Sequence, residues 1–174
     1  LHPLLGLIKP GRNTDMVRSM LAHQQQSANH ILPVWSLMGN EGWCMTGYHA
    51  VSVVADAVVK GARLDREAVL QALKATATWS RFPGLKDYMQ RGYAPFDHDG
   101  TAASNTLEYA YDDFAVSVAA KALGDKLLAD DFEARARYYR NTFDRRTGFA
   151  TPRYADGHFK SDMDPLQTYG EGTT

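Results

Sequence analysis

Apolar residues recur at helical spacing along most of this chain, and one long aromatic stretch interrupts them. Met16, Val17, Met20 and Leu21 predict a helix from Asp15 to about Ala28, after which Leu32-Pro33-Val34-Trp35 breaks the period with an extended apolar segment. Met45, Tyr48, Ser52, Ala55 and Val59 fall on one stripe of a second helix, from about Cys44 to Lys60, and Gly61 sits where a helix C-terminus favours a left-handed residue. Asp65 offers its side chain as N-cap to a third helix with the stripe Val69, Leu73 and Ala77. Beyond the interruption, Asn105 with Glu108 reads as a capping box, and Leu107, Tyr111, Phe114 and Val118 as the apolar stripe of a fourth helix reaching Gly124. A fifth helix is predicted from about Lys126 to Thr142, with Leu128, Phe132, Ala136, Tyr139 and Phe143 inward. The tail from Asp144 carries Gly148, Pro152, Gly157 and Pro165 and reads as loop with one short hairpin.

The interruption runs from Trp79 to Gly100, with Pro83, Gly84, Gly92, Pro95 and Gly100 as breakers and aromatic residues between them. It is too long for a plain connection and too aromatic for a solvated linker, which is how a loop lining a binding cleft reads. Helices paired by short turns and interrupted by such loops suit a toroid of helical hairpins better than a four-helix bundle. The expected fold is all-α, a partial (α/α)6 helical toroid with long aromatic loops, residues 1–174 forming a fragment of one such barrel. The opening Leu1-His2-Pro3 lacks an initiator methionine and a signal peptide, and the end at Thr174 falls in a glycine-rich turn, so truncation at both ends is expected. Part of a barrel leaves apolar faces uncovered, which predicts association with the remaining segments of the same protein or self-association.

With 174 residues, 44% of them hydrophobic, the chain can bury a real core. Its net charge of -1 comes from scattered residues of both signs, which excludes a nucleic-acid surface as the leading reading. No apolar stretch reaches the ~20 residues of a membrane span. Cys44 is the only cysteine, so neither an internal disulfide nor a cysteine-rich metal site is available.

There is no glycine-rich phosphate loop, Gly-x-Ser-x-Gly elbow or His-Glu-x-x-His pair. The loops instead bring carboxylates and aromatic rings together: Trp35, Glu41 and Trp43; Trp79, Phe82, Tyr88, Tyr93 and Phe96; Asp112 and Asp113; Tyr169 and Glu171. A sugar offers apolar C–H faces to aromatic rings and hydroxyl groups to charged acceptors, and cleaving its glycosidic bond requires two carboxyl groups. Each residue also has a structural reading. Trp35 and Trp43 can be loop-to-core packing with Glu41 in solvent. Asp112 and Asp113 share a helix, where neighbours face about 100° apart, so at most one can point at a given site and either can cap a loop or pair with an arginine. His49 suits a hydrogen-bonded core position, and Glu171 lies between glycines that either loosen the end or let backbone approach a ligand.

In order along the chain, Leu32-Pro33-x-Trp35, Gly39-Asn40-Glu41, Gly47-Tyr48-His49, Ser52-Val53-Val54-Ala55-Asp56, Gly92-Tyr93-x-Pro95, Ser104-x-Thr106-Leu107-Glu108-Tyr109-Ala110-Tyr111-Asp112-Asp113, Thr147-Gly148-Phe149 and Asp164-Pro165 form a set. This set resembles the catalytic domain of glycoside hydrolase family 92, the calcium-dependent, inverting exo-α-mannosidases found mainly in bacteria. The resemblance implies a secreted, periplasmic or extracellular enzyme that removes terminal α-linked mannose from glycans such as N-glycans. Tyr169-Gly170-Glu171-Gly172 matches the first half of the family's Tyr-x-Glu-Gly-Asn-x-Trp motif, with Thr173 in place of the asparagine, and implies Glu171 as general acid. Glu41, Trp43, Tyr93 and Asp112 are the implied sugar contacts. The general base and most calcium ligands are implied to lie outside this chain, with no metal site within it, so the fragment alone is expected to be inactive. Two other readings compete: another (α/α)6-toroid glycosidase or sugar lyase, and a non-catalytic helical interaction module in which Trp43, Tyr93 and Glu171 would be dispersed.

Overall fold

A computed structural model of the chain describes residues 2–38, 40–42 and 44–162. Seven α-helices are found among them, so the fold is mostly helical. Helices α1 (His2–Ile8) and α2 (Pro10–Gln26) meet at Pro10, whose fixed φ suits a first helical position. The helical pattern predicted from Asp15 therefore starts earlier, and α1 is an addition, since its exposed Leu4, Leu7 and Ile8 give no buried stripe to read. Val17 and Leu21 carry the buried face of α2, and Gln24 Nε2 donates to the His30 carbonyl at 2.8 Å to close the turn that follows. Ile31 and Leu32 then enter the core, where the Leu32 amide donates to Thr76 Oγ1 at 2.9 Å.

A two-residue hairpin pairs β1 (Ser36–Leu37) with β2 (Asn40–Glu41). Helix α3 spans Ala50–Val59, six residues later than expected from Cys44, because Gly47 takes φ 76° and holds the chain in a turn. Its buried face is Ala50, Val51, Val54, Ala55 and Ala57, whereas Met45 and Val59 from the expected stripe are exposed. Helix α4 (Arg66–Ala77) follows the prediction: Asp65 accepts from the Ala68 amide at 2.7 Å, and Val69, Leu73 and Ala77 are fully buried.

The aromatic insert contains a helix, α5 (Leu85–Arg91), bounded by Gly84 and Gly92, both left-handed. Two of the glycines that read as breakers, Gly84 and Gly92, are its end caps. A methyl group on Gly84 would lie 2.7 Å from Ala94 Cβ and 2.7 Å from Asp99 Oδ2, at a φ of 66°. Gly84→Ala is expected to destabilise the chain by about 2–4 kcal/mol, combining the left-handed penalty with overpacking. A urea midpoint equal to that of the unaltered chain would disprove it.

Helix α6 (Ala102–Ala122) is the centre of the molecule. The expected capping box is absent: Asn105 lies a turn inside the helix, its Nδ2 donating to Asp99 Oδ2 and Thr101 Oγ1, both at 2.7 Å. The stripe is also reversed. Tyr111 and Phe114 are exposed and Leu107 and Val118 half-buried, while Thr106, Tyr109, Asp112, Asp113, Val116, Ala119 and Ala120 face the core. Small alanines let α3, α4 and α7 approach that face closely. Helix α7 (Lys126–Arg135), capped by Asp125 on the Leu128 amide at 3.1 Å, tightens into a 3-10 turn over Ala136–Thr142, so the predicted fifth helix changes pitch midway. Phe132 is buried as expected, and Tyr139 and Phe143 are exposed. The hairpin of β3 (Phe143–Asp144) with β4 (Phe149–Ala150) and a bridge between Arg153 and Phe159 close the described chain. No helix among the described residues is long and apolar enough to cross a membrane.

Candidate functional site

Three loop segments converge on the N-terminal half of α6. The 79–101 insert is pinned there by the Tyr109 hydroxyl, which donates to the Pro83 carbonyl at 2.5 Å, and by the Ala94 amide on Thr106 Oγ1 at 2.9 Å. The tail lies against this insert: the Phe96 amide donates to the Arg153 carbonyl at 2.8 Å, the Ala155 amide to Asp97 Oδ1 at 2.9 Å, and Asn141 Nδ2 to the Gly92 carbonyl at 2.8 Å. The turn before α3 docks through Asp112, whose Oδ2 accepts from the Tyr48 amide at 2.6 Å. The described chain ends at Asp162 in the segment joined to this cluster, so Tyr169 and Glu171, like Trp43 in the first loop, lie outside the described residues.

Asp112 and Asp113 divide as adjacent helical positions must. Asp112 is fully buried and faces the turn, with Oδ1 2.9 Å from His49 Nδ1. Asp113 points into the core, where it accepts from the Tyr48 hydroxyl at 2.5 Å, the Tyr88 hydroxyl at 2.8 Å and Arg135 Nε at 2.9 Å. Burial raises both carboxyls, Asp113 to about 6 against the opposing pull of Arg135. Burial also pushes the Tyr48, Tyr88 and Tyr109 phenols well above their ordinary range, keeping them as donors.

The loop carboxylate Glu41 is buried rather than in solvent. Its Oε2 accepts from the amides of Val34 at 2.5 Å and Trp35 at 3.1 Å, and its Oε1 from the amide of Gly42 at 3.0 Å. Glu41 thus folds the loop that presents Trp35, a residue 51% exposed. Tyr93 is buried too, its hydroxyl donating to the Tyr154 carbonyl at 3.0 Å and its ring stacked under the Arg153 guanidinium at 4.8 Å. Tyr93 and Asp112 therefore brace loops of the cluster, whereas Glu41 braces its own loop over residues 34–42.

Sequence reasoning missed two participants. Arg135 closes the Asp113 network from α7, and nothing at its own position signals a partner on α6. His49 reads from sequence as a core residue, yet it stands half-exposed between two carboxylates, with Nε2 3.3 Å from Glu108 Oε2. A wide apolar groove of about 990 Å³ opens beside α6, lined by Leu107, Tyr111, Phe114 and Val118 together with Tyr139 and Phe143. This is the stripe the sequence assigns to the core. Among the described residues no three acidic, histidine or cysteine side chains gather as a metal site.

The profile described as the glycosyl hydrolase family 92 catalytic domain matches residues 1–174. The fold is similar to that of the family GH92 α-mannosidase BT3965 from Bacteroides thetaiotaomicron, at 42% identity and a TM-score of 0.92 over 99% of this chain and 23% of that one. The same enzyme in complex with mannoimidazole aligns at a TM-score of 0.90 and 42% identity, over 94% of this chain and 22% of that one. The family GH92 inverting mannosidase BT2199 from Bacteroides thetaiotaomicron VPI-5482 shares 30% identity at a TM-score of 0.87, over 99% of this chain and 24% of that one. No curated protein sequence matches the chain. The chain spans about a quarter of the length of these solved relatives. With its whole length matched, the chain belongs to glycosyl hydrolase family 92.

Proposed function

We propose that this chain is part of the catalytic barrel of an inverting exo-α-mannosidase that hydrolyses terminal α-linked mannose from glycans such as N-glycans. The observation that carries this reading is the match over residues 1–174 to a family whose solved members here are α-mannosidases, one described as inverting and one in complex with mannoimidazole. Glu171 is the proposed general acid, in the Tyr169-Gly170-Glu171-Gly172 run that resembles the family's acid motif. Inversion requires a base on the opposite face of the sugar ring, about 6.5–9.5 Å from the acid with a water between them. The described carboxylates with full burial, Asp112 and Asp113, are engaged by internal donors and unsuited to that task. The family resemblance assigns the base to the rest of the barrel, together with most ligands of the calcium that would organise the sugar hydroxyls. The (α/α)6 toroid, a bacterial source and a periplasmic or extracellular location belong to the same proposal. The apolar groove beside α6 supports the remaining segments of the same polypeptide as partners, because it exposes aromatic side chains at helix-packing positions.

The test is the polypeptide carrying this chain together with its missing barrel segments, assayed on aryl α-mannosides and α-glucosides with and without a calcium chelator. Mannose released as the inverted anomer, seen by NMR immediately after cleavage, and loss of activity on chelation are expected. Faster cleavage of the α-glucoside would overturn the reading. The 174-residue chain alone is expected to release no mannose.

A further inference from the structure

The imidazole of His49 faces a carboxylate at each nitrogen. Nδ1 lies 2.9 Å from Asp112 Oδ1 and Nε2 lies 3.3 Å from Glu108 Oε2, both on α6. A neutral imidazole carries a single N–H, so it can donate to one of these carboxylates, and its bare nitrogen then turns a lone pair toward the other. Only the imidazolium satisfies both. The two contacts differ in kind. Asp112 is fully buried and its other oxygen already accepts the Tyr48 amide at 2.6 Å, so its share of the histidine is fixed by the fold. Glu108 is 41% exposed at its side chain and can turn to water. Among the described residues the charged groups facing the ring are these two acids; the loop side contributes the packed turn at Gly47, and Tyr111 meets the ring edge-on at 6.0 Å.

We propose that His49 is a protonation-dependent clasp: as imidazolium it ties the turn before α3 to both Asp112 and Glu108, and as neutral imidazole it keeps Asp112 and releases Glu108. The inference stands on this chain's own geometry and does not depend on the mannosidase reading. The Asp112 hydrogen bond, opposed by burial and aided by the charges of Asp112 and Glu108, raises His49 above the ordinary histidine value. A raised histidine stabilises the fold fully below its unfolded pKa and loses that contribution as pH rises through the folded one. The clasp is therefore closed below the ordinary histidine pKa and opens as pH rises through the raised one, freeing Glu108 near the exposed Tyr111.

The experiment is a pH titration of this chain with 15N-labelled histidine, following both ring nitrogens of His49 by NMR. Both nitrogens are expected to be protonated at low pH, the proton is expected to leave Nε2 while Nδ1 keeps its own, and the midpoint is expected above that of an unstructured histidine. Glu108→Gln, a change at a half-exposed side chain, is expected to lower the midpoint while leaving the Nδ1–H tautomer in place. The Glu108 side-chain carboxyl resonance should shift through the same midpoint in the unaltered chain. A midpoint unmoved by Glu108→Gln, or a neutral form protonated at Nε2, would overturn the proposal. A purely structural histidine would show neither the coupled shift nor the dependence on Glu108.

Discussion

Asp113→Ala is expected to remove about 3–5 kcal/mol of stability, the loss that follows when one partner of a buried ion pair is deleted and the other remains. Asp113 is fully buried and receives three donors from three different parts of the chain. Tyr48 comes from the turn before α3, Tyr88 from α5 and Arg135 from the last turn of α7. Without the carboxylate, the Arg135 guanidinium, 14% exposed at its side chain, keeps one carbonyl acceptor, Ala77, at 3.0 Å and lies over the Phe132 ring at 4.4 Å. Those contacts do not neutralise a charge withdrawn from water. The buried Tyr48 phenol loses its acceptor in the same step, and Tyr88 is left with the Arg135 carbonyl at 3.0 Å. Asp113→Asn keeps an oxygen for one phenol and should fall between the two. Urea unfolding of the three proteins decides the matter: an alanine variant within about 1 kcal/mol of the parent, the size of an exposed ion pair, would show that this network contributes nothing beyond surface pairing.

What could be read from sequence was local. Asp65 caps α4, and Val69, Leu73 and Ala77 line its core, because cap and stripe sit within one short segment. Helix α6 defeated the same method. Its longest apolar side chains, Leu107, Tyr111, Phe114 and Val118, form a perfect stripe, yet that stripe lines the open groove. The face that is buried uses alanines and the polar Thr106, Asp112 and Asp113, whose partners arrive from far along the chain: Tyr48 reaches Asp113 across 65 residues. Periodicity registers where apolar side chains lie but not which of two faces the tertiary structure covers first. On the proposal that further barrel segments pack against α6, both faces are meant for burial, which explains why the sequence shows a strong signal on the side left open here.

The candidate site was legible in the same uneven way. The chemistry of Asp112 and Asp113 was readable as a helical pair able to take a loop and an arginine, and the structure divides them so. Glu41 reads as a solvent carboxylate because its donors are backbone amides, which have no identity in a sequence. His49 finds its acids 59 and 63 residues downstream, a juxtaposition that only the packing of the turn onto α6 creates.

Glu171→Gln, made in the polypeptide with its barrel complete, is expected to lower kcat on a mannose disaccharide by about 10²–10⁴, the usual contribution of a positioned general acid. Glutamine preserves the bulk of the side chain but has no proton to give to the departing sugar oxygen. The size of the loss must therefore depend on the leaving group. A dinitrophenyl mannoside departs as a stable phenolate and needs no proton, so its cleavage should remain close to that of the unaltered enzyme. The basic limb of the pH profile should flatten as well, since that limb records the acid losing its proton. Glu41→Gln supplies the contrast. Glu41 holds the Val34, Trp35 and Gly42 amides, and an amide side chain offers a single acceptor oxygen in place of two. That variant should lose stability and should slow both substrates alike. Equal losses on the disaccharide and the dinitrophenyl mannoside for Glu171→Gln would move the proton donor to another residue, because no acid can be needed equally by a leaving group that requires protonation and by one that does not.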